Sequence, residues 1–595
     1  MTTERDADAG LDETGPELVL GPMLRYVDET SATVWVETDR ECQVEILGRT
    51  APTFEVSGHH YGLVLIDGLP PGSETEYRVA LDGVVRWPLP DSEFPPSVLR
   101  TLNRERPVRL AFGSCRVAEI APWNLSRRAR EQAAKEQAAA GTCALNAEAA
   151  TLIGVPRDRW PDTLLMIGDQ VYGDEPGPAT REFMAAHRKR ADAGAVPDST
   201  GTPDSTVAPD NEVADFEEYC ALYREAWSQP AVRWLFSVIP TAMIFDDHDV
   251  HDDWNTSAQW RKEVTAKPWW GTRIESAFQS YWVYQHLGNL SPADLAGDDT
   301  WGKVRQQGDA APVLADLARR ADERAPGVRF SFARTFGGDR VRVIMLDSRG
   351  RRVVDGTRLI VDDAEWQWCT EAVAGDWEHV VLATSVPPLL PRGIHALEAW
   401  NERVSGGAWG SRAARFGERQ RQALDLEHWP AFGESFIRLE RLLGEIATGQ
   451  RSPAGRPPAS VTIISGDIHH SYLAAVHLPK RIAGAPPAGT GGAGARSAVY
   501  EAVCSPFHQA MPPKMITAQK IASSRLGGII GTAISSLAGA HIPKLTWRIT
   551  EGPWFENMIA VLEYNGATAG VRFDRARGGG TGAPRLELAR ASRLT

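Results

Sequence analysis

The chain has 595 residues, of which 43% are hydrophobic and 24% charged, a balance that supports one or more sizeable cores and excludes both a disordered tail and a small stapled scaffold. Lys and Arg total 64 against 77 Asp and Glu, a formal charge of -13, which argues against a nucleic-acid polymer as the main partner because such binding rests on positive surface. Six cysteines, Cys42, Cys115, Cys143, Cys220, Cys369 and Cys504, are scattered with no CxxC pair, so neither a disulfide framework nor a zinc knuckle is expected.

Residues 1–15 are acidic and polar and resemble no secretory peptide, which predicts a tail and a cytoplasmic location. Over 16–104, short apolar runs alternate with turn signals, and Thr33, Trp35 and Glu37 fall out of phase with Ala32, Val34 and Val36. That pattern predicts strands with two different faces in a small all-β sandwich of immunoglobulin or fibronectin type. The Pro- and Ser-rich stretch 87–96 marks its edge.

From Val108 onward a second pattern begins: apolar runs without strict alternation that stop at polar tips. VRLAFGSC (108–115), LLMIGDQVY (164–172), TAMIFDDHD (241–249), VRVIMLDSR (341–349), HVVLATSVP (379–387) and SVTIISGDIHH (460–470) share this form. Strands buried on both faces read this way, and function collects at their C-terminal ends. An α/β domain is therefore expected over 105–575, with insertions at 175–240 and 254–330 and a polar tail over 576–595. Helices are expected at Pro122–Ala140, Val213–Ser228, Pro268–His286, Ala311–Glu323, Asp362–Ala374 and Gly417–Gly444. The intervals Ala191–Asp210 and Lys480–Ala495 read as surface loops; Leu526–Ala540, too short to span a membrane, reads as a buried helix or packed loop, with a membrane-surface contact as the alternative.

The strongest chemical feature is Asp246-Asp247-His248-Asp249-Val250-His251-Asp252-Asp253. Carboxylates so close repel one another in a crevice, and a bound cation removes that cost; the bland alternative is a solvated acidic turn. Asp169 in IGDQVYGDE, Cys115 in FGSCR, and Asp467 with His469 in SGDIHHSY stand at other strand ends. Separately, Cys115 could be a buried small hydrophobe and His469 a core histidine. Together these residues supply ligands for two adjacent metals bridged by one carboxylate, and two cations about 3.5–4 Å apart suit phosphoryl transfer. No GxSxG elbow accompanies them, which leaves a serine hydrolase poorly supported.

FGSC, GDQVY, DDHDVHDDW, LDSR and SGDIHHSY, in this order and spacing, resemble the PhoD-like alkaline phosphatase and phosphodiesterase group of the calcineurin-like metallophosphoesterases. The resemblance implies a four-layer α/β/β/α sandwich with helical insertions, preceded by the small β-sandwich, and hydrolysis of phosphate mono- or diesters by a metal-bound hydroxide at a dinuclear centre. It implies metal ligands Cys115, Asp169 as the bridge, Tyr172 as a phenolate, Asp247, Asp467 and His469, with His248 near the leaving group. Arg349 is the better candidate for binding phosphate oxygens, with Asp347 orienting it; Arg116, Arg351, Arg352 and His508 are lesser candidates. The implied metals are iron plus calcium, with zinc, manganese or magnesium as alternatives. Other readings of the same residues are a phospholipase-like or cyclic-nucleotide phosphodiesterase, and a non-catalytic binding protein stiffened by calcium. The expected partner is a phosphate-ester substrate, with no transmembrane span.

Overall fold

The computed structural model describes residues 15–118, 140–194, 208–479, 496–509, 511, 513–522, 524–579 and 582–595. Its first ten strands are β1 (Leu18–Val27), β2 (Ala32–Thr38), β3 (Gln43–Ile46), β4 (Arg49–Pro52), β5 (Phe54–Val56), β6 (His59–Ile66), β7 (Glu74–Glu76), β8 (Val79–Leu81), β9 (Val84–Trp87) and β10 (Val98–Arg100). They form two four-stranded sheets, ordered β1-β2-β6-β5 and β4-β3-β8-β9, and the pair β7-β10. Strand β2 shows why its two faces differ in composition. Val34 and Val36 pack between the sheets with Val44, Val64 and Val79, whereas Trp35 turns outward onto Tyr284, 5.4 Å between ring centres.

That outward face is not solvated, because helices of the following domain cover it. Arg25 donates to the carbonyls of Tyr284 and Gln285 (both 2.6 Å), and the Tyr77 hydroxyl donates to the Ser237 carbonyl (2.6 Å). Arg25 and Arg233, both buried and ending on carbonyl oxygens, lock the sandwich to the π-helical segment Tyr281–His286 and the helix Pro230–Val238, while Arg224 ties the helix Phe216–Trp227 to the Glu37 carboxylate.

The larger domain contains β11 (Val108–Gly113), β12 (Thr163–Ile167), β13 (Thr241–Ile244), β14 (Phe332–Phe336), β15 (Val341–Leu346), β16 (His379–Thr384), β17 (Ser460–Ser465), β18 (Ser471–His477), β19 (Ala498–Val503), β20 (Thr546–Trp554), β21 (Met558–Asn565), β22 (Thr568–Gly579) and β23 (Gly582–Arg593). One sheet runs β13-β12-β11-β21-β22-β23 and the other β14-β15-β16-β17-β19-β18-β20. Strands β11, β12 and β13 are parallel, as are β15, β16, β17 and β19. Alternate residues of the second sheet face opposite ways. Val343, Met345, Val381 and Ala383 join Leu110, Phe112 and Leu165 of the first sheet, while Ile344, Val380, Leu382 and Ile463 pack on the helices Asp363–Ala372 and Gly433–Ala447. With Ala144–Ile153 against the first sheet, the layers are helix, sheet, sheet, helix.

Three expectations need correction. The helix expected over Gly417–Gly444 is two helices, Ser411–Ala423 and Gly433–Ala447, separated by an irregular stretch with buried Leu426 and Trp429. Pro430 lacks the N–H that a continuous helix would need there. The polar tail expected over 576–595 instead continues β22 and forms β23, which pairs with β22 at the sheet edge while Leu586 and Ala589 rest on the core. Leu526–Ala540 is not a buried segment: its helix, Arg525–Leu537, exposes Leu526, Ile529 and Leu537. The expected helix Pro122–Ala140 lies outside the described residues except for Ala140, as do most of the expected loops Ala191–Asp210 and Lys480–Ala495.

Candidate metal centre

The site gathers at the C-terminal ends of β11, β12, β13 and β17, where parallel strands release their chains together. Four residues there, Cys115 (φ 56°), Asp169 (φ 51°), Asp467 (φ 66°) and His469 (φ 52°), adopt left-handed backbone conformations. For non-glycine residues that conformation costs energy and persists where the surroundings demand it. Gly168, with φ of 95°, precedes Asp169; a Cβ there would lie 2.6 Å from the Asp246 Cβ, so β12 and β13 come this close only with glycine present.

These turns direct their side chains at one another. Ligand-capable atoms of Cys115, Asp169 and His469 lie within 4.8 Å of each other, as do those of Asp169, Asp247 and His248, and those of Asp169, Asp246, Asp247 and Asp467. Asp169 belongs to all three groups. The Cys115 Sγ stands 3.3 Å from Asp169 Oδ2, and the Tyr172 ring packs on His248 at 4.5 Å while its hydroxyl donates to Gln509 Oε1 (2.6 Å). Asp169 Oδ1 and Asp246 Oδ2 are buried and accept no hydrogen bond. Bare carboxylate oxygens pointing into a shared space, beside a thiol and an imidazole, fit one or more metal ions.

Electrostatics support this fit. Burial holds Asp169 well above the ordinary carboxylate range, with Asp246, Asp247 and Asp467 adding to the effect. Asp246 is pushed up to about 8, chiefly by burial. Burial likewise raises the Cys115 thiol, and Asp169 and Asp467 raise it further. A cation among these groups would reverse each shift. His469 is pulled down to about 4 by burial and therefore presents the neutral imidazole that can act as a ligand. Burial opposes charge on His248, but Asp174, 2.9 Å from its Nδ1, overrides this and holds the imidazolium well above its usual range.

The acidic run is divided among several tasks. Asp246 and Asp247 face the centre, whereas Asp249 accepts the backbone N–H groups of Gln170, Val171 and Asp246 and ties the β12 and β13 loops together. His251 packs among Trp260, Trp269 and Trp270. Asp252 joins Asp174 around His248.

Arg349 is fully buried, with its guanidinium bonded to Asp246 and lying 3.1 Å from Asp247 Oδ1 and 2.6 Å from Glu427 Oε2. The fork expected to meet phosphate is thus filled by the protein's own carboxylates. Asp347 accepts the backbone N–H groups of Arg349 and Gly350 and so braces the turn that carries Arg349 through its backbone rather than its guanidinium. The lesser cations are also engaged: Arg116 with the Ala226 carbonyl, Arg351 with Asp362, Arg352 with Glu427, and His508 with the Val117 carbonyl.

Sequence reasoning missed Glu427, His428 and Glu398. His428 bridges Asp467 Oδ2 (2.8 Å) and Glu398 Oε1 (2.6 Å). Glu427 and His428 lie in the break between the two helices read as one, and the Trp429-Pro430 pair was the available signal for that break. Asp174 was also missed, although it stands in the same GDQVYGDE stretch as Asp169.

Comparison with known proteins gives a consistent result. Residues 149–366 match the family described as PhoD-like phosphatase, and residues 15–99 match a domain of unknown function, DUF7800. A solved structure titled "Structure of PhoD" aligns over 98% of this chain and 94% of its own, with a TM-score of 0.54 at 11% identity, a likeness of fold. No curated protein matches. Domain match and shared fold together show that residues 149–366 carry a PhoD-like phosphatase domain, and the clustered ligand-capable residues stand beside it.

Proposed function

We propose that the protein hydrolyses phosphate mono- or diesters at a dinuclear centre, of which Asp169 would be the ligand common to both positions. The observation that carries this reading is the membership of Asp169 in three overlapping ligand-capable groups. Cys115, Tyr172 and His469 would complete one position, where thiolate and phenolate suit iron. Asp247 and Asp467, with Asp246 beside them, would complete the other, where carboxylates suit calcium, with zinc, manganese or magnesium as alternatives. When bound, such ions supply an activated water and neutralise charge on the phosphoryl oxygens.

The remaining steps belong to the chain itself. The His248 imidazolium, held charged by Asp174, gives a proton to the departing oxygen. Arg349 acts as a positioning residue in place of a phosphate clamp, restraining Asp246 and Asp247 against mutual repulsion. The catalytic domain spans 105–575 in this proposal and the β-sandwich 16–104. The six cysteines are buried and outside any disulfide, which fits a reducing, cytoplasmic setting.

The test is metal analysis of the purified protein followed by a panel of chromogenic mono- and diesters with and without chelator. The expected outcome is bound iron with a second divalent ion, and hydrolysis that stops on chelation and returns with metal. Undiminished turnover in a fully chelated, metal-free sample would overturn it.

A further inference from the structure

The helix Arg525–Leu537 is built in the reverse of the usual surface pattern. Its narrow face packs against the helix Arg392–Ser405: a Cβ on Gly531 would come 3.0 Å from Ala396 Cβ, and one on Gly528 3.2 Å from Arg392 Cβ. Small residues therefore face the protein. The large apolar residues face solvent: Leu526 is 66% exposed, Ile529 68%, Ile530 51%, Ile534 42% and Leu537 78%. They recur at three- and four-residue steps and form one stripe, which Ile542, 58% exposed, extends past the helix end. Contiguous exposed aliphatic surface of this kind marks a docking face.

Charge identifies the occupant. Residues 502–550 contain no Asp or Glu but include Lys514, Lys520, Arg525, Lys544 and Arg548, in a chain whose formal charge is -13. Lys514, Lys544 and Arg548 are exposed. An aliphatic stripe carried by a segment that contributes cations and no carboxylate complements an anionic lipid surface: the stripe enters the boundary between headgroups and acyl chains while the exposed cations meet the headgroups. A second copy of the chain fits poorly, because self-pairing would bring two sets of cations together. No described helix is long and apolar enough to cross a membrane, so the contact lies in the interface plane.

We propose that the helix Arg525–Leu537 docks this protein onto anionic bilayer surfaces. The helix beneath it, Arg392–Ser405, carries Glu398, which holds His428 and through it Asp467, so the docking face lies one helix away from the candidate metal centre. The proposal does not rest on the assigned activity, and vesicle binding decides it.

The experiment is co-sedimentation of the full chain with vesicles of phosphatidylcholine alone or of phosphatidylcholine with phosphatidylglycerol. Binding is expected to the anionic vesicles and to weaken with salt. Ile529→Glu/Leu537→Glu changes exposed positions only; it should keep its melting temperature and its activity on a soluble ester but lose binding at least about tenfold, since each side chain gives up its apolar burial. Lys514→Ala/Lys544→Ala should weaken binding by roughly fivefold per cation removed. The proposal is overturned if the wild type ignores both vesicle types, or if the Ile529→Glu/Leu537→Glu protein binds as well as the wild type. A wild-type dimer that this variant dissociates, without vesicle binding, would assign the face to a second copy and overturn the proposal equally.

Discussion

Two buried charge clusters in this protein differ in what balances them. Between the β-sandwich and the catalytic domain, Glu37 is fully buried, yet it receives Arg224 at 2.6 Å and the Tyr284 hydroxyl at 3.2 Å, with His59 3.6 Å away. At the strand ends, Asp169, Asp246, Asp247 and Asp467 converge on one space, Arg349 pairs with Asp246 and Asp247, and three of the carboxylate oxygens have no hydrogen-bond partner. The first cluster is complete within the protein and serves to hold two domains together. The second leaves carboxylate oxygens without partners, as a cluster able to hold metal ions does, and that incompleteness marks the candidate functional site.

The largest expected effect follows from removing the shared ligand. Asp169→Asn should lower kcat/KM on a chromogenic phosphate ester by about three powers of ten and empty the centre of metal, because several kcal/mol of charge stabilisation leave with the ions. Circular dichroism should show the fold retained. Full metal content in this variant would contradict the contrast between the clusters. Glu37→Gln is the opposite case: about 2–3 kcal/mol of unfolding free energy should be lost in denaturant titration, with metal content unchanged. The figure lies below the usual cost of breaking a buried pair because the Arg224 side chain is 37% exposed.

His428→Ala probes the support behind a ligand. Metal affinity should fall about 10–100-fold, read by competition with a chelator, and His428→Gln should restore part of it by keeping a donor toward Asp467. Loss of stability without any change in affinity would make His428 a packing residue only.

The smallest effect is a pH dependence of the metal-free protein. Asp246 has its proton affinity raised by folding, to about 8 from the ordinary 3.8, so the folded chain holds a proton that the unfolded chain has released. Its contribution is fully present below pH 4 and is lost as pH rises through about 8, which means metal-free stability declines across that window. Metal binding must expel the proton, and apparent affinity should rise toward pH 8 by at most about tenfold per unit. Unfolding midpoints of chelated and metal-loaded protein between pH 6 and 9 test this; a flat difference would show that Asp246 is not protonated in the empty site.

Much of the architecture was legible because burial leaves a local trace. Apolar runs such as Leu164–Ile167 and Val341–Leu346 exceed what a half-exposed strand needs, and the polar residues that follow them mark where the chain leaves the sheet. Asp169, Cys115 and the acidic run after Phe245 were visible for the same reason. Less legible were residues whose meaning depends on a distant partner. Glu427 and His428 read as part of a helix until Asp467 and Arg349 came alongside them.

Local composition thus specified which segments are strands, where they end, and that carboxylates at those ends need a counter-charge. Only the folded arrangement decided which of those carboxylates share a space, that Arg349 is held inside the cluster, and that the Leu- and Ile-rich stripe after Arg525 faces outward. The physical reason is range: hydrophobic periodicity and turn chemistry act over a few residues, whereas charge pairing and burial are set by side chains brought together from hundreds of residues apart.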